Sequence, residues 1–200
     1  MARISEEIEK QGFHHGNLKE TASTLAYNLI KNEGVHSLNL RQIAKECGVD
    51  HSALYRHFKN KDALVASVIL QGFKDLNTIQ EKAQPETAEE FLSNYVNFAF
   101  EAKKLYSLMF SELGRKFYNT PDIESEIQKL IRSAACAIGD ISHEDKISSD
   151  LRDKVIRAWS MTHGFINLWH NRLFKAKSDK LAKQYILQQL AIYTALDNII

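Results

Sequence analysis

Apolar residues recur at helical spacing along nearly all of this 200-residue chain, and its only two prolines, Pro85 and Pro121, fall between the periodic segments. Proline breaks a helix interior but is tolerated in a first turn or a connection. Eight glycines and two prolines are less than half the ordinary share of these residues. That leaves too few turn formers for a many-stranded β fold, and too few breakers for Pro/Gly-rich disorder. The length suits one or two domains with a sizeable core.

Start and stop signals divide the pattern. Asn17 with Glu20 has capping-box spacing, and Leu18, Ala22, Leu25, Ala26, Leu29 and Ile30 form one stripe, so a helix is predicted over about 17–33 with Gly34 as its stop. Asn39 with Gln42 opens a short helix, with Ile43 and Ala44 inward and Gly48 at its end. Ala53, Leu54 and Phe58 outline a second, over 51–57. Asn60 caps a longer one that carries Leu64, Val68 and Phe73 and ends before Pro85. Thr87 with Glu90 begins the next, and Pro121 takes the first position of another that stops at Gly139. The polar stretch 140–149 reads as a loop, and two long helices cover about 150–173 and 179–197. The first dozen residues are charged and read as loose. The expectation is an all-α protein of about nine helices, without repeats.

Several function classes drop out. Lys plus Arg number 26 against 25 Asp plus Glu, so the chain as a whole is no polycationic tail. Two cysteines, Cys47 and Cys136, make neither a disulfide framework nor a metal-ligand spacing. The charged N-terminus lacks the apolar core of a signal peptide, and no run approaches about 18 apolar residues. A cytoplasmic protein without membrane partner, metal or cofactor is expected.

Residues 39–61 carry the chemistry. Two short helices flank the turn Cys47-Gly48-Val49-Asp50, where glycine permits the turn and Val49 plugs the angle between the helices. Ile43, Ala44 and Leu54 suit the steep crossing of a helix-turn-helix, which lays its second helix in a DNA major groove. Arg41, Lys45, Arg56, Lys59 and Lys61 face only Glu46 and Asp50 in this segment, and His51 and His57 add donors. Phosphates call for such cations, and base edges for short polar or apolar groups. On spacing alone, a helical hairpin with a solvated charged face remains the alternative.

The run Leu40-Arg41-Gln42-Ile43-Ala44, then Gly48-Val49, Leu54-Tyr55-Arg56-His57-Phe58 and Lys61-Asp62-Ala63-Leu64 resembles the TetR family of transcriptional regulators. With His15-Gly16-Asn17-Leu18-Lys19 the resemblance covers about 14–75. Trp159-Ser160-Met161-Thr162-His163-Gly164, followed by Leu168-Trp169, is similar to the Trp…His-Gly signature of one subgroup's regulatory domain. The resemblance implies a three-helix DNA-binding domain over 1–60 and a ligand-binding, dimerising bundle over 61–200. It puts Arg41, His51, Ser52 and Ala53 where relatives read base edges. Asn39, Tyr55, His57 and Lys61 fall where relatives grip phosphates, and Leu40 belongs to the same DNA-binding set. Asp50 departs from the usual serine: it suits a helix cap but repels a phosphate. Ala53 replaces a common Thr or Ser, so the operator sequence does not transfer.

The resemblance also implies an inducer cavity in the larger half, with Phe98, Phe110, Phe117, Trp159 and His163 as its candidates and His163 as polar anchor. The same aromatics also suit plain core. Leu151, Val155, Phe165, Ile166, Trp169, Leu187, Leu190 and Tyr193 supply apolar surface that a homodimer would bury, the alternative being one helix capping the monomer's own core. The implied function is a repressor, not an enzyme. As a dimer it would bind a palindromic operator in double-stranded DNA and be released by a small-molecule inducer. A helical enzyme with His163 as base, or an adaptor using the basic hairpin on protein, are the alternatives; no partner nucleophile, phosphate loop or paired carboxylates accompany His163.

Overall fold

A computed structural model describes residues 17–139 and 141–197; the N-terminal dozen, His15-Gly16 and Asp140 lie outside them. Among the described residues there are ten α-helices: α1 Leu18–Glu33, α2 Leu40–Glu46, α3 His51–His57, α4 Lys61–Ala83, α5 Ala88–Glu101, α6 Lys103–Met109, α7 Glu112–Arg115, α8 Pro121–Gly139, α9 Ser149–His170 and α10 Asp179–Asp197. A short 3-10 turn, Val35–Ser37, joins α1 to α2. The all-helical expectation of about nine holds. The additions are the breaks at Ala102 and around the single turn α7, which no glycine or proline announces.

The chain forms two compact units, divided between Val68 and Ile69 inside α4. The first is built on α1, α2, α3 and the start of α4. Ala22, Ala26 and Ile30 of α1 are fully buried, with Ile43, Ala44, Leu54, Phe58 and Leu64. Ser23 on α1 donates to the Ser67 hydroxyl on α4 at 3.0 Å. Gly48 adopts φ 67°, the left-handed region that the tight turn demands. The Val49 N–H then donates to the Ala44 carbonyl at 3.0 Å, fixing α3 against α2.

Caps follow the sequence in part. Asn39 Oδ1 accepts from the Arg41 N–H, and Asn60 Oδ1 from the Ala63 N–H, both at 2.9 Å. Asn17 makes no side-chain cap; its amide donates instead to the Glu20 carboxylate. Gln42 likewise turns away, to Glu46. Asp50 precedes α3 without a side-chain cap bond. Thr87 Oγ1 accepts from the Glu90 N–H, but the Glu90 carboxylate reaches back one residue further, to the Glu86 N–H.

In the second unit α5 packs on α10, α9 and α8. Its inner residues Leu92, Tyr95, Val96 and Ala99 are buried, as are Ile166, Ala182, Ile186 and Leu190 of the last two helices. A Cβ on Gly72 would lie 2.6 Å from Met109 Sδ, so glycine here lets α4 come this close to α6. Two buried amides on α4 grip its neighbours. Asn77 Nδ2 donates to the Glu126 carbonyl at 2.9 Å and to its Oε2 at 2.7 Å. Gln80 Nε2 donates to the Phe91 carbonyl at 3.0 Å. Burial opposes the Glu126 charge, but hydrogen bonds from Lys129 and Asn77 outweigh it and hold the carboxyl below its ordinary range.

Leu151, Val155, Ile166 and Leu190, expected on a dimer surface, are buried within the unit instead. Their helices are amphipathic with two apolar faces, and periodicity does not say which faces inward. Ile156, Trp159 and Leu168 of α9 and Leu181, Tyr185 and Ile192 of α10 are exposed, with Met161 and Phe165 half-buried. Leu168 is 43% exposed, Tyr185 47% and Ile192 55%, and the Phe165 and Tyr185 rings meet edge to face at 6.4 Å. Among the described residues no helix is long and apolar enough to cross a membrane.

Candidate functional site

The first unit turns a polar face outward around α2 and α3. Ile43 and Ala44 of α2, with Leu54 of α3 and Phe58 just after it, are buried and fix both helices from beneath. That leaves Asn39, Arg41, Ser52, Tyr55, His57 and Lys61 exposed, and Leu40, His51 and Ala53 half-buried at the edge of the same surface. The predicted contact residues therefore lie together at the helix N-termini and along α3. Tyr55 is 42% exposed although aromatic. Its ring stands edge-on to His51 at 4.6 Å and 89°, a pairing one turn apart that orients both groups and that residue types alone do not announce. Arg41, Lys45, Arg56, Lys59 and Lys61 form no ion pair with another described residue. Set against Glu46 and Asp50 alone, these five cations leave the segment net positive, which raises the local potential and attracts a polyanion. Cys47 beneath them is buried, and burial, with Glu46 adding to it, pushes its thiol up to about 11. It is therefore packing rather than a nucleophile.

The second unit encloses an apolar cavity of about 100 Å³. Phe73 of α4 forms one wall, and Phe91, Leu92 and Tyr95 of α5 another. Ile127, Leu130, Ile131, Ala134 and Ile138 of α8 face them. Val155 and Trp159 of α9 close it, with Phe110 and Tyr118 from either side of α7. Phe110, Tyr118 and Trp159 also line an outer cleft of about 400 Å³, together with Ser111, Glu112, Arg115, Ser160 and His163. Of the predicted ligand residues, Phe110 and Trp159 thus line both spaces and His163 the cleft. Phe98 is buried and Phe117 half-buried, and neither lines the cavity. Phe73, Phe91, Tyr95 and Tyr118 line it beyond the sequence expectation, because an unfilled volume leaves no trace in periodicity.

A hydrogen-bond chain runs beside the cavity. Trp159 Nε1 can only donate, and does so to the Tyr95 hydroxyl at 2.9 Å. The Tyr95 and Tyr106 hydroxyls are 3.3 Å apart, and the Tyr106 hydroxyl lies 2.6 Å from His163 Nδ1. With the first donor fixed, each hydroxyl passes its hydrogen onward and His163 Nδ1 accepts at the end. Burial raises both phenols well above their ordinary value and lowers the imidazole; all three are neutral near pH 7. Two rings further along, His170 packs between Phe100 and Tyr106 at 6.0 and 5.7 Å, and neither of its nitrogens has a partner among the described residues.

Comparisons with known proteins add to this geometry. The family model described as "Bacterial regulatory proteins, tetR family" matches residues 24–68, and that described as "Tetracyclin repressor-like, C-terminal domain" matches 88–188. The chain is 25% identical over 166 residues to the "Uncharacterized HTH-type transcriptional regulator YerO" of Bacillus subtilis, covering 75% of this chain and 55% of that protein. It is 40% identical over 60 residues to the "HTH-type transcriptional regulator SAB2452" of Staphylococcus aureus, which is 30% of this chain and 31% of that one. The chain thus spans about half the length of the first relative and about a third of the second. Among solved structures, a protein of unknown function from Rhodococcus sp. RHA1 superposes with a TM-score of 0.66 at 23% identity, over 92% of this chain and 97% of that one. A TerR/AcrR-family regulator from Aquifex aeolicus does so with 0.61 at 18%, over 88% and 99%; both show the fold.

Proposed function

The chain belongs to the TetR family of bacterial regulatory proteins, and from that premise we propose that it is a cytoplasmic, ligand-responsive transcriptional repressor rather than an enzyme. Two copies bind one palindromic operator. In each, Arg41, His51, Ser52 and Ala53 meet base edges, Asn39, Tyr55, His57 and Lys61 hold the phosphates, and Leu40 lies at the edge of the same contact surface. Helix-turn-helix pairs read half-sites about 34–36 Å apart or a multiple of that, which needs a twofold partner. The apolar stripe of Met161, Phe165, Leu168, Leu181, Tyr185 and Ile192 is the surface a second copy covers.

The observation that carries ligand response is the continuity of α4. It begins at Lys61, a proposed phosphate contact, and without a break bears Phe73 of the cavity wall. A molecule entering the second unit displaces Phe73, and with it the helix. Coupling of about 1–3 kcal/mol, usual between two sites, weakens operator binding roughly 5–150-fold. Footprinting on the DNA flanking the chain's own gene tests this. Protection of two symmetric half-sites supports the reading; absence of protection at low salt contradicts it.

A further inference from the structure

We propose that the cavity takes one uncharged hydrocarbon ring, a compact aromatic molecule of the toluene class, and refuses ions of the same shape. The inference rests on the reading of that cavity as the effector site. Its walls offer a ligand no charge and no free hydrogen-bonding group. Trp159 Nε1 donates to Tyr95, whose hydroxyl is shared with Tyr106. The Tyr118 hydroxyl donates to the Met109 carbonyl at 2.6 Å. The nearby buried carboxylate, Glu126, is committed to Lys129 and Asn77. A carboxylate or ammonium carried inside would lose its hydration with nothing to replace it.

Aromatic walls attract cations through their ring faces, but edge-to-face pairing takes several of those faces here, and no carboxylate among the described residues lines the cavity to replace an ammonium's lost hydration. Phe73 meets Phe110 at 80° and Tyr118 at 79°, and Phe110 meets Trp159 at 64°. Each such edge-to-face pair consumes one face.

Size sets the second limit. An apolar cavity of about 150 Å³ admits benzene, and this one is about 100 Å³. Closed, it is too small even for one ring, so a single ring enters only as a wall yields, and a fused pair demands a larger displacement. The wall that yields is Phe110. It is half-buried, sits just past the end of α6 with φ −104° and ψ 16°, and divides the cavity from the outer cleft together with Tyr118 and Trp159. The ligand enters from the cleft as the Phe110 ring swings aside.

Titration calorimetry on the full chain with toluene, benzoate, benzyltrimethylammonium and naphthalene tests this. Toluene is expected to bind saturably with Kd below about 1 mM, and the two ions and naphthalene about tenfold or more weaker. Ala134→Phe, which projects into the cavity from α8, weakens toluene by about tenfold or more while the helical signal is retained; if that variant does not fold, Ala134→Met is read the same way. Absence of saturable toluene binding, an ion or naphthalene binding as tightly as toluene, or toluene unaffected by the filled cavity overturns the proposal. Toluene binding that leaves operator affinity unchanged supports this ligand class and contradicts the effector reading, so the two failures are distinguishable.

Discussion

Tyr106 on α6 holds its hydroxyl 2.6 Å from Nδ1 of His163 on α9, closing a chain of four hydrogen-bonding groups that starts at the Trp159 indole. Tyr106 is fully buried, so removing its oxygen strands both neighbours: Tyr95 loses its acceptor and His163 its donor. Tyr106→Phe is expected to cost about 1–3 kcal/mol in urea unfolding, the usual penalty for buried groups left unpaired. It also takes the hydroxyl away from Nδ1, so the His163 ring resonances move in NMR spectra. A variant as stable as the parent, with His163 unmoved, contradicts the chain.

His170 gives a pH dependence of defined sign. Burial, reinforced by Lys103 and His163 and only partly offset by Asp179, drops its titration from 6.5 to about 4. Between those values the unfolded chain binds a proton that the folded one refuses, so stability is full above pH 6.5 and falls as pH drops toward 4. His170→Phe keeps the ring between Phe100 and Tyr106 and removes two unpartnered nitrogens. It is expected to match or exceed the parent at pH 7 and to lose stability less steeply across that window, measured by urea midpoints.

The stripe on α9 and α10 predicts assembly. Leu168→Arg and Tyr185→Arg place charges in a surface that a stable pair must desolvate, where specific interfaces bury about 1,200–2,000 Å². Sedimentation of the parent is expected at twice the chain mass, and of the double variant at the single-chain mass with unchanged helicity. A double variant that still sediments as a pair locates the interface elsewhere.

Helices were legible in the sequence where local signals act alone. Pro121 opens α8, and the 51–57 segment appears as α3 with the same limits. The breaks around Ala102 and α7 were not, since they depend on packing rather than on breakers. The outward face of α2 and α3 was legible because its cations have no apolar alternative place. The dimer surface was misread at Val155 and Ile166, because an apolar residue on a two-faced helix suits core and interface equally. The cavity is half legible: Phe110 and Trp159 stand out as aromatics, but Phe73 and Ala134 line it through an absence of neighbours, which is a property of the fold.

Salt-dependent binding to operator DNA tests the central claim most directly. Fluorescence anisotropy across a salt series on the duplex flanking the chain's own gene compares the parent with Lys61→Ala, Arg41→Ala and the Tyr55→Ala/Lys61→Ala pair. Lys61→Ala is expected to weaken binding evenly across sequences and to flatten the plot of log affinity against log salt by about 0.9 for each phosphate no longer neutralised. Arg41→Ala relaxes discrimination at particular base pairs, at about 1–3 kcal/mol each. The Tyr55→Ala/Lys61→Ala pair loses operator binding while its helical signal and melting temperature stay intact. Undiminished affinity and an unchanged slope in that folded double variant would contradict the assignment of this face to DNA.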